Sequence, residues 1–296
     1  MKPWLLFLFI IIVFLFCTKK DQTESKIEKI TTDYQTVKIK PFPIAVQCWT
    51  FRKFTFFETL QKVKDLGIKY LEAYPGQALS NELPDVRLDH NLSDDQLQLV
   101  KNKLNEMGIT LVNYGVVDLG RDEASMSKVF DFAKKMGITT IMAEPEFDDF
   151  PLVEKLVQQY DIKVAVHNHP QPSRYALPDT VLKYVKNLDH RIGSCADTGH
   201  WLRSGVVPVE ALRLLKGRIL STHLKDLNEF GVGEAYDVPF GQGVANIHDI
   251  LAELTLQDYQ GYLVVEHENE AEAMDPSPSI LKGLEYIKSI TSLEEK

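Results

Sequence analysis

Short apolar, β-branched runs alternate with longer segments whose apolar residues recur at helical spacing along most of the chain. The runs predict strands at Ile44–Trp49, Tyr70–Tyr74, Thr110–Val116, Thr140–Glu144, Lys163–His167, Ile192–Ala196, Ile219–Leu224 and Tyr262–Glu266. Helices are predicted at Phe57–Leu66, Asp94–Met107, Glu123–Met136, Leu152–Tyr160, Thr180–Asn187, Val209–Leu215, Ile247–Leu254 and Ile280–Ile290. A repeated phrase marks the helix-to-strand junctions: Asp65-Leu-Gly-Ile-Lys, Glu106-Met-Gly-Ile-Thr, Lys135-Met-Gly-Ile-Thr and Gln159-Tyr-Asp-Ile-Lys. Glycine just past a helix accepts the left-handed turn that releases the chain into the next strand.

Near-continuous apolar strands separated by helices indicate a parallel sheet buried on both faces. Eight such units predict an α/β fold, a (β/α)8 TIM barrel. An open doubly wound sheet is the competitor. Against it, Gln47-Cys-Trp-Thr-Phe follows the first strand where a glycine-rich phosphate loop would stand. Polar residues also gather after most strands, the end of a barrel at which active sites form.

The N-terminus has a different pattern. Trp4–Phe16 is almost unbroken apolar sequence, shorter than the roughly 20 residues that span a bilayer but of the size of an export signal core. Cys17 follows it, as at the lipidation site of a bacterial lipoprotein, and an uncleaved anchor helix is the alternative. The expected organisation is a signal over 1–16, a polar tether over 17–42 and a catalytic barrel over 43–296, exported and held at a membrane through the lipid alone. Cys48 and Cys195 stand far apart in the barrel and define no disulfide framework. The formal net charge of -9, with no run of Lys or Arg, argues against a nucleic-acid partner.

The strand ends carry the chemistry. Glu144, Asp197, His223 and Glu266 end the fourth, sixth, seventh and eighth strands, so barrel closure gathers them at one mouth. Mixed carboxylate and imidazole donors suit a divalent metal: Mn2+, Zn2+, Fe2+ or Co2+, with Mg2+ less favoured by the nitrogen donor. Each residue also has an ordinary explanation. Asp197 suits a helix N-cap, and His223 a hydrogen-bonded core position. Carboxylates ending buried strands are harder to dismiss, because they are rarely buried unpaired.

His167 and His169 project to one side if their strand continues, leaving Asn168 to point away. They are acid/base candidates together with Glu144 and Glu266, and His167 is an alternative metal ligand to Glu144. His200, Lys225 and Arg203 are candidates for holding substrate oxygens, and Trp49, Tyr74 and Trp201 for an apolar wall facing the substrate.

These segments resemble the xylose-isomerase-like barrel superfamily over about 44–289. Asp197-Thr-Gly-His200 is similar to its Asp-x-x-His after the sixth strand, His223-Leu-Lys-Asp226 to its seventh-strand His segment, and Val264-Val-Glu266 to its last ligand strand. Val238-Pro-Phe-Gly-Gln-Gly243 resembles its glycine-rich substrate loop. The resemblance implies a metal-dependent sugar isomerase or epimerase that moves a proton next to a carbonyl through an enediolate. One departure bears on the reaction. The epimerases end the fifth strand in a Glu that is both ligand and base, whereas this chain has His167. The His-Asn-His form resembles a branch that includes inosose dehydratase-like and 3-keto-glycoside-processing proteins, so a lyase, dehydratase or hydrolase acting on a keto-sugar or keto-inositol stays open beside isomerisation. A non-catalytic carbohydrate-binding lipoprotein is the rival from another class.

Overall fold

The computed structural model describes residues 32–291. Eight parallel strands close a barrel in chain order: β1 (Ile44–Gln47), β2 (Tyr70–Ala73), β3 (Thr110–Val117), β4 (Thr140–Ala143), β5 (Lys163–His167), β6 (Ile192–Asp197), β7 (Ile219–Leu224) and β8 (Leu263–Val265). The ring shuts where β8 pairs with β1, Ala45 opposite Val264. The expected barrel is therefore present, and no edge strand is left unpaired in it.

Helices α1 (Phe56–Asp65), α2 (Asp94–Met107), α3 (Glu123–Met136), α4 (Phe150–Tyr160) and α5 (Pro178–Val185) follow the first five strands. They are followed by α6 (Thr198–Arg203), α7 (Pro208–Leu214), α8 (Ile247–Leu256) and α9 (Ser277–Ile290). Local sequence sets several ends. Thr55 with Glu58, and Ser93 with Gln96, form capping boxes that satisfy the first free N–H groups of α1 and α2. Gly108 and Gly137 end α2 and α3 at φ 69 and 74, and Asp161 does the same for α4 at φ 57, as the repeated phrase predicts.

Two differences from the sequence reading are instructive. The helix α6 was not expected, because six residues carry too little periodicity to read, and it forms where Asp197 caps it. The folded unit also begins at Tyr34 rather than near residue 43. Tyr34 is buried, its hydroxyl donates to Glu253 Oε2 on α8 at 2.5 Å, and Arg213 lies over its ring at 5.0 Å. Ile39 is buried as well, so part of the supposed tether is core. Cys17 and the segment before it lie outside the described residues. Among the described residues, no helix is long and apolar enough to cross a membrane.

The main apolar core lies between barrel and helices, while small clusters fill the lumen: Ala45, Val112 and Val264 in one, Met142, Ala165 and Cys195 in another. Side chains alternate along a strand, so the residue two positions after a lumen residue also faces in. Ala45, Ala165, Cys195 and Val264 are thus succeeded inside the barrel by Gln47, His167, Asp197 and Glu266. Apolar filling gives way to polar groups at the C-terminal mouth.

Gly115 marks a tight point of this wall, in the register shift between β3 and β4. A Cβ there would lie 2.2 Å from the Met142 carbonyl oxygen, with the backbone at φ +153. Gly115→Ala is expected to lower thermal stability by about 1–3 kcal/mol, the range of overpacked sites, as read by calorimetry; an unchanged melting temperature would contradict this packing.

Candidate functional site

Four neighbouring strands deliver one group of donor atoms. His167, Asp197, His223 and Glu266 are all buried, and one ligand atom from each lies within 4.8 Å of all the others. His167 Nε2 is 3.2 Å from His223 Nδ1 and 3.5 Å from Asp197 Oδ2. His223 Nδ1 is 3.0 Å from Glu266 Oε2. Asp197 both caps a helix and belongs to this group. Its Oδ1 accepts from the His200 backbone N–H at 2.8 Å, which starts α6 and leaves Oδ2 for the lumen.

Glu144 does not join Asp197, His223 and Glu266; His167 takes that place, the alternative the sequence had left open. Glu144 follows β4, and its carboxylate lies on the Nδ1 side of His167, away from the other three donors. Its Oε1 faces His167 Nδ1 at 3.4 Å and accepts from His169 Nδ1. Burial pushes the Glu144 carboxyl up, but the hydrogen bonds of the two imidazoles outweigh this and hold it at about 2. With Nδ1 of His167 turned to a carboxylate, Nε2 is left for the group in the lumen.

The same logic appears on the opposite side through a residue the strand-end reading missed. Glu72, buried in the middle of β2, accepts at Oε1 from His223 Nε2 at 2.7 Å and from Gln47 Nε2 at 2.6 Å. Its Oε2 accepts from Asn113 Nδ2 at 3.0 Å. A carboxylate only accepts, so His223 carries its proton on Nε2 and presents the Nδ1 lone pair to the group. The available signal was a Glu inside an otherwise apolar strand, Tyr70-Leu-Glu-Ala, at an inward position.

Asn168 points away from the lumen, as the sequence predicts. It gives Nδ2–H to the Asp197 carbonyl at 3.0 Å and accepts from the Asp197 N–H at 2.9 Å, which locks β5 to β6 beside the site.

Above the donors opens a cavity of ≈ 430 Å³, within the range of small-molecule sites. His167, His169, His200, Glu266, Trp49 and Tyr74 line it, so these expectations converge on one place. Trp49 is 41% exposed and meets Tyr74 edge to face at 5.0 Å, forming a wall that a sugar ring could cover. Glu268 also lines the cavity and was not anticipated, because it follows the end of β8.

Other expected substrate contacts are placed elsewhere. Trp201 is completely buried in the core, on the inner face of α6. Arg203 stands behind the cavity wall, not in it: it is bound to Asp237 Oδ2 at 3.0 Å and the Ala235 carbonyl at 3.0 Å, and its Nη1 reaches the cavity-lining His200 and Glu268 at 3.1 and 3.4 Å. Lys225 lies beneath the cavity, 1% exposed, among Asp197, Glu266 and Glu268. The loop over residues 238–243 is not part of the cavity wall, because its backbone wraps around a neighbouring carboxylate. Gly241 and Gly243 donate N–H to Asp226 Oδ2 at 2.9 and 3.0 Å, and Ala245 donates to Oδ1 at 2.9 Å.

The group fits a divalent cation. Glu266 Oε2 is buried and has no hydrogen-bond donor in good geometry, although Lys225 Nζ and His223 Nδ1 stand 2.8 and 3.0 Å away. Two imidazole nitrogens and two carboxylate oxygens converging on such an atom form a donor set of the kind that holds Mn2+, Zn2+, Fe2+ or Co2+.

The family model for xylose isomerase-like TIM barrels matches residues 60–290. An inosose dehydratase of Glaesserella parasuis serovar 5 is 25% identical over 272 residues, spanning 75% of this chain and 88% of its own length. A protein from Parabacteroides distasonis, described as uncharacterized, has a structure with TM-score 0.68 at 32% identity, covering 84% of this chain and 99% of that one. A 3-keto-D-glucoside 4-epimerase from E. coli shares the fold at TM-score 0.64 and 16% identity, over 84% of this chain and 100% of that one. The closed barrel, the donor group at its mouth and these matches agree: the chain belongs to the xylose isomerase-like TIM barrel family, whose named relatives include sugar-processing enzymes.

Proposed function

We propose that the protein is a divalent-metal-dependent lyase that removes a proton next to the carbonyl of a keto-sugar or keto-cyclitol and expels the substituent on the following carbon. The observation that carries this reading is His169 at the cavity, paired through Nδ1 with Glu144, beside His167 at the end of β5, where a two-carboxylate proton exchange would place a Glu. Glu144 ties up His169 Nδ1, which leaves Nε2 as the basic atom. His169 is about half exposed in the cavity and is free to meet substrate.

In this mechanism His169 Nε2 takes the proton from the carbon beside the carbonyl, and the electron pair moves toward the carbonyl oxygen. An ion held by His167, Asp197, His223 and Glu266 would stabilise the charge developing on that oxygen. The pair then returns to form the carbon–carbon double bond as the hydroxyl or alkoxy group leaves. His169, now an imidazolium, hands the same proton to the leaving oxygen, so water or an alcohol departs and no further reactant is needed. Trp49 and Tyr74 would cover one face of the ring.

Epimerisation is the second reading, supported by Glu266 lining the same cavity. It needs a proton donor on the opposite face, and on the β8 side Glu266 and Glu268 are both engaged by Lys225. A panel of inososes and 3-keto-glycosides in D2O with Mn2+ separates the two. We expect an unsaturated ketone absorbing in the ultraviolet, lost by about 100-fold or more in His169→Ala while Mn2+ content is unchanged. An epimer carrying deuterium at the inverted carbon, with no elimination product, would assign the protein to the epimerases.

We also propose export and lipidation at Cys17, supported by the apolar run before it, which directs attention to unphosphorylated substrates. The protein should take up a labelled fatty acid that Cys17→Ala no longer takes up, and an unlabelled parent protein would reject lipidation at this residue.

A further inference from the structure

The Lys225 ammonium stands 2.9 Å from Asp197 Oδ2, 2.8 Å from Glu266 Oε2 and 2.6 Å from Glu268 Oε2. Two of these oxygens belong to the four-residue donor group. The side chain has little room to withdraw. A Cβ at Gly199 would fall 2.7 Å from both Cβ and Cδ of Lys225, so the first turn of α6 packs directly on the lysine stem. Thr198 Oγ1 accepts from the Lys225 N–H at 2.9 Å and donates to the Lys225 carbonyl at 2.9 Å, which fixes the backbone too. Glu268 is held on its other side by Arg203 at 3.4 Å. A fixed, buried positive charge therefore shares its carboxylates with the place where a divalent ion would sit.

Asp197 and Glu266 are buried and Glu268 partly so, and three carboxylates this close would repel one another without a cation among them. Lys225 supplies that cation in the metal-free protein. When a divalent ion is added, the ammonium cannot leave, and two positive centres then draw on the same oxygens in a medium of low dielectric. We propose that Lys225 is a built-in counter-cation: it keeps the site formed without metal and limits how tightly a divalent ion is held, so that the ion exchanges. The inference rests on the reading of His167, Asp197, His223 and Glu266 as the metal site. Lys225 is on this view a positioning residue and not a group that reaches substrate.

The test compares the full chain with Lys225→Met, similar in length but neutral, and Lys225→Arg, which keeps the charge. Mn2+ is titrated calorimetrically into chelator-treated protein, and thermal unfolding is recorded with and without Mn2+. Lys225→Met should unfold at lower temperature without metal, bind Mn2+ about tenfold more tightly or better, and gain more in melting temperature from Mn2+ than the parent. Lys225→Arg keeps the charge at some cost in packing, and should bind Mn2+ no more tightly than the parent. If Lys225→Met is unfolded without metal, folding on addition of Mn2+ supports the proposal, and failure to fold with Mn2+ while Lys225→Arg is folded overturns it. Equal or weaker Mn2+ binding by a folded Lys225→Met overturns this inference alone. A parent protein that binds no Mn2+ overturns the metal-site reading, and this inference with it.

Discussion

Asp197→Ala and Asp197→Asn should both lose Mn2+ binding by more than about 100-fold, beyond the loss expected for an outer partner of a metal ligand, yet differ in stability. Asp197 has two separable functions: Oδ1 caps α6 through the His200 N–H, and Oδ2 faces His167, His223 and Lys225. Asparagine caps a helix about as well as aspartate, so Asp197→Asn keeps the first function and gives up the anionic donor. Alanine gives up both, which costs about 1 kcal/mol more. Either variant also takes one carboxylate from Lys225, so both should melt below the parent, the alanine variant lower. Calorimetric titration with Mn2+ and thermal unfolding read the two effects independently. Mn2+ affinity at the parent level in Asp197→Asn would remove Asp197 from the metal site and leave it as a cap.

The second large effect is expected at Glu72, which touches no cavity surface. Glu72→Gln should weaken Mn2+ binding by about 10–100-fold, the range found when a partner behind a ligating histidine is lost. The new NH2 group takes the place of one oxygen only, so it opposes either the Asn113 amide or the Gln47 and His223 donors, and in both arrangements the charge that favours the proton on His223 Nε2 is gone. The imidazole is then no longer tied to presenting Nδ1. Glu72→Leu should be much worse for the fold, since it strands three buried donors at about 1–3 kcal/mol each. The imidazole nitrogen resonances of His223 report its tautomer directly. Parent-level Mn2+ affinity in a folded Glu72→Gln protein would mean that His223 does not ligate through Nδ1.

The barrel was legible in the sequence because its signals are local. Each strand is a short apolar run, each helix an amphipathic stretch, and most junctions carry a glycine or an aspartate that turns left-handed. The same locality made the strand ends readable, since a His, Asp or Glu that closes a buried strand has to face its neighbours across the mouth. Asp197, His223 and Glu266, with His167 as the alternative to Glu144, are legible as strand-end groups in the sequence, and so is the resemblance to the family.

Tertiary structure alone decided the rest. Whether Glu144 or His167 completes the donor group depends on what each side chain meets: His167 Nε2 faces His223 and Asp197, whereas the Glu144 carboxylate is taken by His169 and the Nδ1 side of His167. Trp201 and Arg203 sit on one short helix, and only its packing shows that the tryptophan is core and the guanidinium is taken by Asp237 and Glu268. Lys225 reads as a surface-type cation in a strand-end motif, yet its ammonium is enclosed by carboxylates from β6 and from beyond β8. Glu72 and His223 are 151 positions apart, and no pattern in either segment names the other. Periodicity along the chain determines which way a side chain faces; what it meets there is set by barrel closure, which brings distant strands to hydrogen-bonding distance.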